Sequence, residues 1–245
     1  MYVGCTTAGA WMQFVEGSVI GVRSARLSFS SPTSSVRVTL FPMIHVGEPE
    51  FYRATYADAE AHDVVLLEGV RSPVVKRITR SYRWIEGSKN LSGLVVQPRF
   101  PENPSAARIV HADLSQHEFE EAWHKVPLWL RFTVSVLAPL IGLKRRWRCS
   151  RSALAKEMNC EDQPSLAELL AISPETGALT QAILHTRDQR LLEKLGEELD
   201  AADPQPRSVA VVYGATHMRA VVRELTGNRN FSISAAEWRT LMGLV

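Results

Sequence analysis

Apolar positions along the chain fall in short runs, and two of those runs end alike. Val36–Phe41 is a β-branched run of strand length that reaches Pro42 and, three residues on, His45. Ser208–Tyr213 is a second such run, reaching Gly214 and then His217 at the same interval. A strand that breaks and then offers an imidazole puts that ring at the carboxyl edge of a sheet, where open α/β sheets bind ligands. Arg26–Ser30 alternates as a strand and is joined to Val36–Phe41 through Ser31-Pro32-Thr33-Ser34-Ser35, a hairpin signal. Pro42 lacks the amide a ladder needs and predicts the end of that strand.

Pro49 suits the first turn of a helix running to about Ala61, with Glu48 and Glu50 at its positive end. Val64–Leu67 is then a continuous apolar run, as for a strand buried on both faces, and Glu68 closes it. Strand, helix and strand in that order make a parallel pair, with His45 and Glu68 at one edge. Gly93–Gln97 and Arg108–His111 read as further strands, with Asp113 two residues beyond His111. Ser115 with Glu118 is a capping box for a helix through Trp123. Pro164–Ala171 and Leu179–Leu199 pattern as helices, the latter with a single apolar stripe. Met218–Leu225 is a helix, Phe231–Ile233 a last strand and Ala235–Leu244 a terminal helix. Residues 1–24 are weakly patterned and read as a poorly ordered lead-in or as an extra strand at Ser18–Val22. Residues 71–92 carry Arg71, Lys76, Arg77, Arg80 and Arg83 as a solvated basic face.

These elements predict one α/β domain over residues 1–245. A central, mostly parallel sheet carries helices on both faces and two strand-turn-His halves, with residues 115–165 as a helical insertion or lid. The most apolar stretch is Pro127–Leu143, followed by Lys144, Arg145, Arg146 and Arg148. It is short of the ~20 residues a bilayer span needs and contains Arg131 and Pro139. A buried or lid-forming helix pair is the favoured reading; contact of residues 127–148 with a membrane surface is the alternative.

Composition narrows the function classes. Hydrophobic content of 45% and charged content of 22% are those of a globular protein. A net charge of +2 gives no field that argues for nucleic acid. Cys5, Cys149 and Cys160 are too widely spaced for a thiolate zinc site or a disulfide scaffold, so a reducing compartment is the default. Met1–Gly17 has no basic segment ahead of an apolar core and does not read as a signal peptide, which points to the cytoplasm, with or without membrane contact. His45, His111 and His217, with Glu68 and Asp113, all follow strands. Imidazoles and carboxylates meeting at one edge make a nitrogen and oxygen donor set that suits zinc, manganese, iron or cobalt.

Phe41-Pro42-Met43-Ile44-His45, Val64-Val65-Leu66-Leu67-Glu68 and Val212-Tyr213-Gly214-Ala215-Thr216-His217 together resemble the TraB/PrgY/GumN family, which includes the Tiki metalloproteases. His185-Thr186-Arg187-Asp188 resembles that family's Arg followed by Asn or Asp, and the four motifs stand in the family's order. The resemblance implies a fold like that of the erythromycin-esterase and ChaN proteins, and a metal-dependent hydrolase, most of all a peptidase. It implies His45, Glu68 and His217 as ligands of a divalent ion, manganese or cobalt as in the Tiki enzymes, with zinc also suited. It implies Glu68, Arg187 and His217 as catalytic groups. His111 and Asp113 are additional candidates by placement alone. The alternative is a non-catalytic regulator that binds a peptide in the same cleft. The family has Gly where this chain has Pro42, so an amide donor is missing from the first motif.

Overall fold

The structure, a computed structural model, describes residues 12–70, 72–76, 79, 88–101, 107–156, 158, 160–161, 177, 179–201 and 205–244. Strands β1 (Gln13–Gly17), β2 (Gly21–Ser30), β3 (Val36–Met43), β5 (Val64–Leu67), β7 (Arg108–His111), β8 (Cys160–Glu161), β9 (Arg207–Gly214) and β10 (Ser232–Gly243) form one mixed sheet. Two short strands, β4 (Val46–Gly47) and β6 (Val95–Val96), pair beside it. Helices α1 (Pro49–Glu60), α2 (Gln116–His124), α3 (Leu128–Arg148), α4 (Arg151–Lys156), α5 (Thr186–Asp200) and α6 (Met218–Arg223) flank the sheet. The class is α/β, as the alternation of elements predicts. Arg71, Arg77, Arg80 and Arg83 of the expected basic face, and the expected helix Pro164–Ala171, lie outside the described residues.

The parallel part runs β7-β5-β9-β3. β9 lies between β3 and β5, so these two are not neighbours as the crossover suggested. β3 and β9 pair from Val36↔Arg207 to Met43↔Gly214, which makes the two similar runs adjacent parallel strands. Four carboxyl ends therefore share one edge. The interior is made of the β-branched residues of these strands: Val38, Val65, Val209 and Val211 are fully buried. Helix α5 buries Leu191 and Leu195, the centre of its predicted stripe.

Pro42 does not end β3. The Pro42 carbonyl accepts a hydrogen bond from Ser24 Oγ on β2 at 2.7 Å. In a strand a residue's N and C=O point to the same side. The Pro42 nitrogen therefore faces β2, away from β9, and the β2–β3 pairing has already stopped at Leu40. No ladder bond is lost there, and no donor is taken from the sheet edge.

Three other expectations are corrected. Residues 12–24 are not a lead-in, because β1 and the start of β2 are paired there. The terminal segment is not a helix: β10 runs antiparallel along β2 from Ser232↔Ser30 to Gly243↔Gly21. The ladder on a long open strand outweighs the helical preference of Ala235-Ala236-Glu237. The apolar stretch is one 21-residue helix, α3, rather than a pair, and its outer side is exposed, with Leu128 at 74% and Phe132 at 71%. Among the described residues no helix is long and apolar enough to cross a membrane.

Candidate functional site at the sheet edge

Glu68, the first residue past β5, sits at the centre of the shared edge. Its Oε2 accepts the amide of Gly214 at 2.6 Å and its Oε1 accepts Arg187 Nη2 at 2.5 Å. The same guanidinium forks onto Asp113, with Nε to Oδ1 at 2.9 Å and Nη2 to Oδ2 at 2.7 Å. Asp113 also accepts the amide of Gly69 at 3.0 Å. Arg187 is largely buried, with only 13% of its side chain accessible. Burial alone would raise the Glu68 carboxyl, but the charges of Arg187, His217 and His45 outweigh it and hold the group at about 2. Glu68 is thus ionised at any ordinary pH and is a weak base. Arg187 is held protonated above its usual range by Glu68 and Asp113, against the opposing effect of burial.

His217 lies in the single 3-10 turn Ala215–His217 that follows β9, and it is 4% exposed. Its Nδ1 meets Asp188 Oδ1 at 2.7 Å. That bond favours the tautomer with the proton on Nδ1, leaving Nε2 with the lone pair. Arg187 and Asp188 are consecutive on α5, so their side chains diverge by about 100°. Arg187 reaches β5 and β7, and Asp188 reaches the turn after β9. A π-helical turn, Gln181–His185, precedes them, with Thr186 Oγ donating to the Gln181 carbonyl at 2.9 Å. Turns of this kind recur beside functional residues. Tyr213 packs edge-on to His217, with ring centroids 4.9 Å apart, and the Arg187 guanidinium carbon stands 5.6 Å from the Tyr213 ring centre. The Tyr213 hydroxyl is buried and interacts with the Asp113 carboxylate. Burial, and the Asp113 and Glu68 carboxylates close by, keep that phenol protonated.

Gly214 lets these groups approach. A Cβ there would stand 3.1 Å from Glu68 Oε2 and 3.4 Å from His217 Cδ2. Gly214→Ala is expected to push the carboxylate and the ring apart at a cost of about 1–3 kcal/mol, read as a shift in urea midpoint at constant slope. A change below the error of the melt would show that the edge is looser than drawn.

The other candidates divide. Asp113 belongs to the cluster, through Arg187. His45 shares the edge and adds to the field at Glu68, but it is exposed. Its Nδ1 lies 3.3 Å from Gln97 Oε1, and its carbonyl accepts the Gln97 amide at 2.8 Å, so the β4–β6 pair turns it outward. His111, at the end of β7, is exposed too. Among the described residues no three His, Cys, Asp or Glu side chains converge closely enough to hold a metal ion. His217 and Glu68 suit a divalent ion and are already oriented by Asp188, Arg187 and the Gly214 amide, as metal ligands commonly are. The third expected donor, His45, is exposed and lies within 3.3 Å of Gln97, and among the described residues no third ligand joins the pair.

Asp188 and Tyr213 were not singled out as working residues by sequence. The signal for Asp188 was the Arg-Asp pair on a helix; Tyr213 read only as the last apolar residue of its strand. An open groove of about 790 Å³ runs between α2 and α5, and none of the cluster residues lines it. Leu114 and Thr186 line it, each one residue from Asp113 and Arg187, together with Glu118, Arg190 and Glu193. Comparison of the chain with protein-family models, with curated proteins and with solved structures finds no match.

Proposed function

We propose that this sheet edge is a hydrolytic site, with a peptide as its substrate class and His217 as its working base. The observation that carries the reading is the Asp188–His217 pair held against the ionised Glu68. With Nδ1 directed at Asp188, Nε2 takes a proton from water as the water oxygen attacks a carbonyl carbon. The imidazolium then returns that proton to the leaving nitrogen. Asp188 and Glu68 both favour the transient positive charge on the ring. Tyr213 packs its ring edge-on against the imidazole and helps to hold it in place. Glu68 is too weak a base for this step, and Arg187 is engaged by two carboxylates, so both position the site rather than react.

Divalent-ion dependence, which the family resemblance implies, is a separate proposal for the same edge. An ion there would engage His217 and Glu68, and when bound it would polarise a carbonyl and acidify a water. Cleavage of a fluorogenic peptide library by the purified chain tests both proposals. Turnover that survives a chelator supports the imidazole base alone; turnover restored only by manganese, cobalt or zinc supports the ion. Peptide binding without cleavage in any metal would instead make the protein a non-catalytic regulator, and the hydrolase reading would fall. The missing amide of Pro42 no longer favours that regulator, since its nitrogen faces β2.

A further inference from the structure

Helix α3 presents an apolar face that is exposed among the described residues. Leu128, Phe132, Val136, Leu140, Leu143 and Trp147 recur at intervals of three and four, and all are exposed. Trp129, 55% exposed, flanks the start of the stripe. These positions fall on one side of a helix of 3.6 residues per turn. The opposite side is anchored: Leu130 is buried with Leu114, Phe119, Trp123 and Val126, and Val134 packs against them. The helix is therefore fixed to the body by one side and carries about 27 Å of exposed stripe on the other, from Trp129 to Trp147. Soluble monomers rarely leave a contiguous patch of this kind open.

Charge identifies what covers it. Residues 128–148 contain Arg131, Lys144, Arg145, Arg146 and Arg148 and no acidic residue, so the remainder of the chain is net negative. A second copy packed helix to helix would set like charge against that basic end. An anionic bilayer supplies both requirements, acyl chains for the stripe and headgroups for the cations. Tryptophans at the two ends of the stripe suit the boundary between the two. We propose that α3 lies in the surface of an anionic membrane with its apolar stripe inserted, as interfacial amphipathic helices do.

The test is flotation of the full chain with phosphatidylcholine vesicles and with phosphatidylcholine mixed with phosphatidylserine. The protein is expected to float with the mixed vesicles alone and to be released by high salt. Phe132→Asp with Trp147→Asp is expected to abolish flotation. Replacing Lys144, Arg145 and Arg146 by Gln leaves the stripe intact and is expected to lower partitioning roughly a hundredfold. Circular dichroism confirms that each variant is folded. Wild-type protein that stays in the soluble fraction, or that floats equally with uncharged vesicles, overturns the proposal. So does a dimer that Phe132→Asp splits while neither form floats.

Discussion

Arg187→Met is expected to lower the unfolding free energy by about 3–5 kcal/mol, among the largest single losses this fold can show. The methionine fills the volume but leaves two carboxylates without their cation. Asp113 is 1% accessible and Glu68 17% at the side chain, so water cannot take the place of the guanidinium. Arg187→Lys should recover only part of the loss, because one ammonium cannot reproduce the fork onto Asp113 while reaching Glu68. The pH dependence carries the same signature. In the native chain the Glu68 carboxyl is held at about 2, below its usual value near 4.5. A depressed carboxyl stabilises above its unfolded pKa, so its contribution is complete above about pH 5 and is lost as pH falls toward 2. Without Arg187, burial becomes the dominant influence and raises that carboxyl instead. The stability deficit of Arg187→Met should then shrink as pH is lowered from 7 to about 4, as Glu68 is protonated. Urea melts across that range measure it. A deficit below about 1 kcal/mol, unchanged with pH, would mean that the cluster is solvated and that its pairs count as surface ion pairs.

Much of this cluster was readable because strand ends are readable. Continuous apolar runs closing at Glu68, Asp113 and His217 report parallel strands buried on both faces, and parallel strands share a carboxyl edge. That is enough to collect side chains on one edge but not to aim them. His45 and His217 follow adjacent strands with the same local pattern. One is buried against Asp188 and the other is turned onto Gln97, because the β4–β6 pair captures the backbone after β3. That pair is two residues long on each side and has no periodicity to detect. The failure at Ala235–Leu244 has a related cause. Its alanines and glutamate favour a helix locally, whereas its strand form depends on the free edge of β2, some 200 residues earlier in the chain. Pro42 misled in the other direction. A rule about the missing amide applies only where that amide would face a partner strand, and facing is a tertiary property. Arg187 shows the limit from the helix side. Its apolar neighbours mark which face of α5 is buried, but a cation at the margin of that face reads equally well as solvated.

Asp188→Asn and His217→Ala should separate orientation from chemistry at the edge. If His217 is the base, its removal is expected to reduce peptide hydrolysis by roughly 10²–10⁴-fold, the usual worth of a positioned general base. Asp188→Asn keeps the shape and removes the negative charge that holds the proton on Nδ1. An amide can donate to the ring instead, which favours the opposite tautomer and directs the lone pair away from the site. A loss approaching that of His217→Ala is therefore expected, with Km little changed, because the imidazole rather than the substrate is misdirected. The structural half of the argument has its own readout. Nitrogen-15 spectra of the His217 ring should show the Nδ1–H tautomer in the native chain and the Nε2–H form in Asp188→Asn. Were the tautomer to change while turnover held, His217 would be a packing residue and the base would lie elsewhere. Were neither to change, the 2.7 Å contact between Asp188 and His217 would not control the ring. The converse control is Glu68→Gln. An amide of the same shape cannot match the charge of Arg187, so its main effect should fall on stability, with turnover per folded molecule much less affected than in Asp188→Asn. That division follows from the geometry: one carboxylate holds the base, and the other holds the arginine that fixes the helix carrying the first.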